Sequence, residues 1–144
     1  MEPSILRGDR VRFVRPDRRL HLENAILCLD DPLVTATIER NLGVSRREEK
    51  SFFDLAENPG EDAIWWAIHN EADQHIGFID LHEISWRHRF AVGGLLIGDR
   101  SSWGKGYATD CVLTRTKFAI EQMGLHRIEG HTTSTCWFVS GIAR

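Results

Sequence analysis

LLIGDRSSWGKGYATD, at residues 95–110, joins the most apolar run of the chain to a glycine-rich turn and then to a helical pattern. The run at residues 90–97 predicts a buried strand, and residues 107–123 predict a helix that Gly124 closes as a left-handed cap. The first N–H groups of a helix have no partner within it, and the helix dipole adds partial positive charge there. This order of strand, glycine turn and helix predicts a binding site for an anion such as phosphate.

The spacing of the glycines separates the phosphate-binding alternatives. A P-loop has four residues between its first Gly and its Gly-Lys, followed by Ser or Thr. Here five residues separate Gly98 from Gly104, and Gly106 stands where the hydroxyl is needed. A dinucleotide-binding fingerprint starting at Gly104 requires Gly or Ala where Thr109 stands. The spacing therefore disfavours a magnesium-dependent ATP binder and leaves a plain strand-to-helix turn or another kind of phosphate loop.

The patterns on either side of this stretch predict an α/β (α+β) fold with a central sheet. Helices are predicted at residues 18–29 and between a capping box at residues 45–48 and a stop at residues 58–60. Two adjacent glycines, Gly93 and Gly94, interrupt the strand at residues 90–97, and they predict either a bulge or a close approach of another group. Further strands are predicted at residues 10–15, 64–68, 75–81 and 127–132.

Composition narrows the class of protein. With 144 residues, 42% hydrophobic and 27% charged, residues 1–144 are predicted to form a single globular domain. A net charge of −3 argues against binding nucleic acid through bulk positive charge. Three cysteines without CxxC spacing indicate neither a disulfide framework nor a zinc site and fit a reducing cytoplasm. No apolar run reaches the roughly 18 residues of a membrane span, so no membrane partner is predicted.

Charge is distributed unevenly along the chain. Residues 51–80 contain seven acidic residues and no Lys or Arg, which favours a cationic ligand in the middle of the chain unless these groups form a solvated face. The histidines at 69, 75, 82 and 88 lack Cys or carboxylate neighbours at ligand spacing, so no metal site is predicted. Cys111 is predicted to be a buried small hydrophobe. Arg115 shares its helical face, where an apolar residue is expected.

Several motifs in order resemble the GNAT acetyltransferases, and most closely the branch that acetylates the N-termini of ribosomal proteins. The family's loop pattern, Gln/Arg-x-x-Gly-x-Gly/Ala, falls on residues 103–108, with Trp at its first position. Residues 6–12, 30–32 and 81–87 are similar too, so the resemblance extends from residue 6 to about residue 134.

The resemblance implies a mixed, mostly antiparallel sheet flanked by helices, and acetyl-CoA as co-substrate. Backbone amides from Gly104 to Ala108 would hold the pyrophosphate, with Lys105 adding positive charge. A bulge at Gly93 and Gly94 would separate this strand from the next, so that the pantetheine arm can pair with strand backbone near Leu96. The implied cofactor-binding residues are Leu96, Ile97, Trp103, Gly104, Lys105, Gly106, Tyr107, Ala108 and Thr109.

Acetyl transfer to an amine requires a base, donors for the thioester oxyanion and an acid for the leaving thiolate. The candidate bases are Asp80, His82 and Glu83, because they lie near the cleft at the end of the central strand. Glu83 is slightly preferred among them. Backbone N–H groups at residues 95–97 are the candidate oxyanion donors. The family often uses a tyrosine after the fifth strand as the acid, but the single tyrosine here, Tyr107, lies in the cofactor loop.

The chain after residue 134 does not resemble the family. We therefore expect a domain that is incomplete at its C-terminal end, lacking the last helix and two strands. The expected acceptor is a primary amine, either a protein N-terminus or a small molecule. The alternative is a catalytically impaired acyl-CoA-binding remnant of such an enzyme. An incomplete sheet would expose an apolar edge, which favours pairing into a homodimer.

Overall fold

The computed structural model describes residues 6–35 and 46–130. The predicted cap at Ser45, the predicted strand end at residues 131–132 and the dissimilar residues 135–144 lie outside these ranges. A single turn of 3-10 helix, Arg100–Ser102, follows the fifth strand. The elements in chain order are β1 (Leu6–Arg7), β2 (Arg12–Val14), α1 (Arg18–Leu29), α2 (Pro32–Thr35), α3 (Arg46–Glu57), β3 (Ile64–His69), β4 (His75–Ser85), β5 (Phe90–Ile97), α4 (Tyr107–Glu121) and β6 (Arg127–Gly130).

The described strands form one six-stranded sheet in the order β1-β2-β3-β4-β5-β6. Neighbours from β1 to β5 pair antiparallel, whereas β5 and β6 pair parallel between Phe90–Gly93 and Arg127–Gly130. A parallel pair requires a crossover, which α4 supplies. The prediction of a mixed, mostly antiparallel sheet flanked by helices is confirmed.

Alternation along the strands divides the core into two clusters. In β3, Trp66 joins the cluster that contains Cys111 and Ala119 of α4, while the next residue, Ala67, joins the cluster that contains Leu22 of α1 and Phe53 of α3. Successive side chains of a strand point to opposite faces. The sheet is therefore covered by α4 on one face and by α1 and α3 on the other. None of the described helices combines the length and apolar character needed to cross a bilayer.

Local signals explain where the helices begin and end. The Asp17 side chain accepts a hydrogen bond from the N–H of Arg19, which caps the start of α1. Pro32 stands at the first position of α2, where its missing N–H costs nothing. Gly124, at φ 72°, ends α4, and the N–H of Leu125 then donates to the carbonyl of Ala119 at 3.0 Å.

The expected bulge at Gly93 and Gly94 is wrong with respect to β4. The β4–β5 register runs unbroken through these glycines, and the irregularity lies between His82 and Ser85. A Cβ at Gly93 would stand 2.6 Å from the guanidinium carbon of Arg115, and one at Gly94 would collide with the Asp80 carboxylate. Close approach of two charged side chains, the other predicted possibility, therefore explains the glycines.

The acid-rich stretch at residues 51–80 is largely matched by arginines from the N-terminal part of the chain. Glu61 and Asp62 remain exposed. The other exposed carboxylates form ion pairs with arginines of other elements, so they are not a free acidic face, although exposed pairs of this kind contribute little to stability. The pairs are Arg18 with Asp54 at 2.5 Å and with Glu57 at 3.2 Å, Arg10 with Glu71 at 2.9 Å, and Arg12 with Asp73.

Candidate functional site

The glycine loop before α4 has the backbone geometry of an anion site. Gly104 and Gly106 adopt positive φ values of 76° and 85°, which only glycine adopts without strain. Gly106 is the N-cap of α4 and provides no side chain to cap it. A Cβ at Gly104 would meet nothing within 4 Å. The loop is therefore open at Gly104, and the first N–H groups of α4, which lack partners within the helix, are the donors that an anion at the loop can use.

The other predicted cofactor residues lie beside this loop. Trp103 is 41% exposed and donates its indole N–H to the Ile97 carbonyl at 2.7 Å, which ties the loop to the end of β5. Lys105 and Thr109 are exposed. Buried and half-buried members of the set are Tyr107, Ala108, Leu96 and Ile97.

Asp110 holds the start of α4 against the turn between β1 and β2. Its carboxylate accepts hydrogen bonds from the backbone N–H groups of Asp9, Arg10 and Val11 at 3.0, 2.8 and 3.0 Å. A carboxylate in the first turn of a helix is also favoured by the helix dipole. Gly8 is required beside it, because a Cβ there would lie 2.5 to 2.7 Å from Thr114 and Asp110 oxygens.

Tyr107 is engaged away from the predicted reaction centre. Its phenol donates a hydrogen bond to the Glu71 carboxylate, which also accepts from Nε of Arg10 at 2.9 Å. This phenol, together with Arg10, lowers the pKa of Glu71 to about 2, and the carboxylate in turn raises the pKa of Tyr107. The only tyrosine in the sequence therefore uses its phenol proton in a hydrogen bond to the Glu71 carboxylate.

Strand β5 is paired on both sides. Its antiparallel pairing with β4 extends to Ile97, opposite Gly77, and its parallel pairing with β6 is described from Phe90 to Gly93, opposite Arg127 to Gly130. Residues 94–97 are half-buried. Their backbone on the β6 side is where the predicted pantetheine and oxyanion contacts fall.

Asp80 and His82 form a carboxylate–imidazole pair on β4, opposite Gly94 and Val92 of β5. Oδ2 of Asp80 lies 2.5 Å from Nδ1 of His82, and the two side chains are 4% and 42% exposed, respectively. Burial raises the pKa of Asp80, although the hydrogen bond from His82 opposes that rise. The pair thus combines a buried carboxylate with an imidazole that solvent can reach.

Glu83, the preferred base from the sequence, is placed differently. It is exposed and lies at the β4–β5 irregularity, with a positive φ of 48°. Asp80 and His82 are brought together because residues two apart on a strand share a face. That alternation was readable from the sequence and would have favoured the pair over Glu83.

Arg115 is a buried cation that sequence reasoning left unexplained. It is 6% exposed, and its Nη1 donates to the carbonyl of Gly94 at 3.0 Å and to that of Asp80 at 3.4 Å. Burial lowers its pKa. The space for its guanidinium exists because Gly93 has no side chain. An unexpected arginine on a helix together with an unexpected glycine pair on a neighbouring strand is a weak sequence signal for such a contact.

A chain of neutral histidines links α1 to the β3–β4 turn. The N–H of Asp17 donates to Nδ1 of His21, and Nε2 of His21 lies 2.9 Å from Nε2 of His69. Nδ1 of His69 lies 2.9 Å from the Asp73 carboxylate. These partners are satisfied when His21 carries its proton on Nε2 and His69 carries its proton on Nδ1.

His75 packs against this pair, with its ring centroid 4.5 Å from that of His21. Burial lowers the pKa of His75 to about 3 and that of His69 to about 4, and it also lowers the pKa of His21. His82 and His88 are not part of the cluster. Within residues 6–35 and 46–130, no three His, Cys, Asp or Glu side chains are placed to hold a metal ion.

An open cavity of about 920 Å³ lies between α1, the β3–β4 turn and the segment that follows β5. Trp103 lines it and is the residue it shares with the predicted cofactor loop. The thiol of Cys28, on its wall, has its pKa raised by burial to about 11, so it is not a nucleophile at neutral pH. Cys111 is fully buried as predicted, and burial raises its pKa further.

Comparisons with known proteins agree with this architecture. A family model described as an acetyltransferase (GNAT) domain matches residues 10–135. The search of curated proteins found no match. Among solved structures, the spermidine N-acetyltransferase from Vibrio cholerae, in complex with CoA and spermine, aligns with a TM-score of 0.81 at 16% identity. The alignment covers 92% of this chain and 77% of that one.

Two further structures align over a similar length. A GNAT-family acetyltransferase from Bacillus anthracis has a TM-score of 0.79 at 16% identity, covering 95% of this chain and 78% of that one. A microcin self-immunity acetyltransferase in complex with acetyl-CoA and AMP has a TM-score of 0.76 at 16% identity, covering 94% and 77%. Because the sequence identities are low, these structures show only that the fold is shared. The family is shown by the family model. The chain therefore belongs to the acetyltransferase (GNAT) domain family and is an acetyl-CoA-dependent N-acetyltransferase.

Proposed function

We propose that this enzyme acetylates an α-amine, such as a protein N-terminus, with His82 as the base and Asp80 as the carboxylate that orients it. One observation carries the proposal: the buried Asp80 carboxylate lies 2.5 Å from Nδ1 of the half-exposed His82, on β4, where the two residues stand opposite Gly94 and Val92 of β5. A carboxylate on Nδ1 directs the other ring nitrogen, Nε2, toward the reacting proton, as in other acid–base sites.

The cofactor is assigned to the loop and the adjoining strand. The pyrophosphate of acetyl-CoA would accept hydrogen bonds from amides of Gly104 to Ala108, and Lys105 would add a full positive charge. The pantetheine arm would pair with backbone at Leu96 and Ile97, on the side of β5 away from β4. Trp103 and Thr109 would lie at the edges of this path.

The chemical step follows from these positions. The neutral amine attacks the thioester carbonyl carbon, the carbonyl oxygen takes up negative charge, and the C–S bond then breaks to release CoA as its thiolate. Nε2 of His82 accepts the proton that the amine nitrogen loses. Because a thiol has a pKa of about 8.5, the thiolate can leave near neutral pH without a dedicated acid. The engagement of Tyr107 with Glu71 is therefore compatible with turnover, which favours an active enzyme over a catalytically impaired remnant.

The choice of acceptor rests on the pKa of the amine. An α-amine has a pKa of about 7.7–8.0 and a lysine-type amine about 10.4, so a larger share of an α-amine is already neutral near pH 7. An α-amine is thus the easier acceptor for the base to deprotonate. In addition, the carboxylates at residues 54, 57, 71 and 73 are occupied by arginines, so they offer little to a polyamine. A polyamine is the second candidate, because the Vibrio cholerae structure holds spermine.

The proposal is tested by release of free thiol from acetyl-CoA against peptides with different N-terminal residues and against spermidine. We expect turnover on a peptide with a free N-terminus and none on the same peptide blocked at that amine. His82→Gln should reduce kcat by roughly 100-fold or more, and Asp80→Asn by a comparable factor. The matched control is Glu83→Gln, which should retain activity.

Three results would contradict parts of this assignment. Loss of activity in Glu83→Gln with activity retained in His82→Gln would make Glu83 the base. Turnover restricted to spermidine would replace the α-amine by a polyamine. Binding of acetyl-CoA without thiol release on any acceptor would identify the protein as an acyl-CoA-binding remnant.

A further inference from the structure

We propose that Arg10 is a positioning residue that holds the Lys105–Gly106 peptide in the orientation that presents the Gly106 N–H to the cofactor's pyrophosphate. Nη1 of Arg10 donates a hydrogen bond to the carbonyl of Lys105. This inference rests on the proposed binding of acetyl-CoA at the loop. It concerns a residue outside the family's loop pattern, nearly a hundred positions earlier in the chain.

The effect follows from the geometry of the peptide bond. In a trans peptide, the C=O and the N–H of the same plane point in opposite directions. None of the peptide bonds in residues 6–35 and 46–130 is cis. Because Arg10 donates a hydrogen bond to the Lys105 carbonyl, the Gly106 N–H of the same peptide must point away from Arg10. The Gly106 N–H is then presented to an anion that approaches from the side opposite Arg10.

The loop, as the structure describes it, contains no contact of its own that fixes the orientation of the Lys105–Gly106 peptide, so a hydrogen bond from outside the loop is needed. Lys105 lies between two glycines with positive φ, and glycine reaches alternative backbone conformations at little cost. Gly106 has no side chain to cap the helix, and the side chain of Lys105 is exposed. A peptide in this setting can rotate, and its N–H would then be lost to the ligand. A fixed donor on its carbonyl removes that freedom before binding, which is the general route by which preorganisation increases affinity.

Arg10 is itself held from three directions. Its Nε is 2.9 Å from Oε2 of Glu71, at the β3–β4 turn. Its guanidinium carbon lies 4.4 Å from the ring centroid of Tyr107, at the start of α4. Its backbone N–H donates to Asp110 at 2.8 Å. Tyr107 closes the arrangement by donating its phenol to the same Glu71 carboxylate. The side chain is 42% exposed, so these contacts, and not burial, fix its position.

Glu71 allows a sharp test, because positioning and simple electrostatics predict opposite results. Removing a negative charge near an anion site should strengthen binding of an anion by Coulomb's law. If Glu71 acts through Arg10, its removal should weaken binding instead. The probe is CoA, and the measurement is its Kd by titration calorimetry, with kcat and KM for acetyl-CoA measured in parallel.

We expect Arg10→Met to raise the Kd for CoA by roughly tenfold or more, the effect of losing a hydrogen bond to a charged donor. Glu71→Gln and Tyr107→Phe should raise it by smaller factors. The matched control is Glu61→Gln, another exposed carboxylate, which should leave the Kd unchanged or slightly lower. Tighter CoA binding by Glu71→Gln would overturn the positioning role.

A second measurement separates this inference from the proposed function. The amide signal of Gly106, observed by NMR in the ligand-free protein, reports the orientation of the peptide whether or not CoA binds. We expect its chemical shift and its hydrogen exchange to change in Arg10→Met and in Tyr107→Phe. If they are unchanged in both, the inference fails. If wild-type protein does not bind CoA while these signals respond, the positioning role stands and the proposed function fails.

Discussion

Gly93 and Arg115 depend on each other across the boundary between sheet and helix. An arginine is tolerated in this core because its guanidinium occupies the space that a Cβ at Gly93 would fill, and because carbonyls of β4 and β5 accept its hydrogen. Burial of a charge is costly unless such partners are present. The pair is therefore a local solution that neither residue type predicts by itself.

Substitution of this glycine tests the dependence. Gly93→Ala should lower the free energy of unfolding by about 1–3 kcal/mol, because the guanidinium must leave its partners or the strand must shift. Chemical denaturation measures the change. The control is Gly130→Ala on the adjacent strand, where the nearest described atom to a Cβ is the Gly93 carbonyl oxygen at 3.9 Å, so that the change should cost less. Equal losses in the two variants would contradict the dependence.

Asp80 is predicted to be held ionised at a cost in stability. Burial raises its pKa in the folded protein. For a carboxylate this means that folding favours the protonated form, so stability falls as the pH rises through the raised pKa and the loss persists at neutral pH. Asp80→Asn should consequently unfold at neutral pH with a free energy no lower than that of the wild type, while losing activity. A marked loss of stability in this variant would indicate that the hydrogen bond with His82 stabilises the fold.

At the scale of elements, the histidine cluster ties α1 to the β3–β4 hairpin through an ordered series of donors and acceptors. A second proton on His21 would place an N–H on Nδ1, facing the N–H of Asp17. The groups around the cluster include Asp73, which also pairs with Arg12, and Asn24, whose amide lies 3.0 Å from Nδ1 of His75. The neutral forms fit these surroundings, and the protonated forms of His21 and His75 do not.

This cluster predicts a loss of stability in acid. The folded-state pKa of His69 is lowered from 6.5 to about 4. The contribution of neutral His69 to the free energy of unfolding is therefore fully present above pH 6.5 and is lost as the pH falls from 6.5 toward 4. For His69 the loss amounts to about 3 kcal/mol. The urea midpoint measured at a series of pH values should fall in this window. His69→Gln should flatten the dependence, whereas His88→Gln, at an exposed position, should not.

Element boundaries followed from the sequence where a local chemical signal marked them. The capping side chain of Asp17 fixes the start of α1, and the apolar run at residues 90–97 coincides with β5. Two elements were not predicted: β1, which has only two residues and no periodicity, and α2, which begins at a proline that indicated only the end of α1.

In the candidate site, as in the fold, the features that depend on local sequence were predictable and those that depend on distant partners were not. The loop is local, so glycine spacing and the following helix were enough to predict it. The roles of Arg10, Arg115 and His21 depend on partners 95, 35 and 48 residues away, and no pattern within a short window contains that information. Proximity to the cleft alone favours Glu83 over His82. The alternation of side chains along β4, which places Asp80 and His82 on the same face, favours His82.

At the scale of the whole molecule, binding of CoA should stabilise the folded state. A ligand at about 100 times its Kd adds about 2.7 kcal/mol, which for a chain of this size raises Tm by roughly 5–10 °C. Differential scanning fluorimetry with CoA measures the shift. Lys105→Met should reduce it because a charge near the pyrophosphate is lost. No shift for wild-type protein at saturating CoA would contradict the assignment of the loop.

The contact between Asp110 and the turn at residues 9–11 has a consequence for biosynthesis. The hydrogen bond from the Arg10 N–H to Asp110 joins residues 100 positions apart. A growing chain cannot close this turn until α4 has left the ribosome, and contacts of such long separation form late and slow folding. The N-terminal turn and the cofactor loop should therefore become ordered together, only after α4 has been synthesised, so that a nascent chain gains the ability to bind CoA only after most of the strands from β1 to β5 have been made.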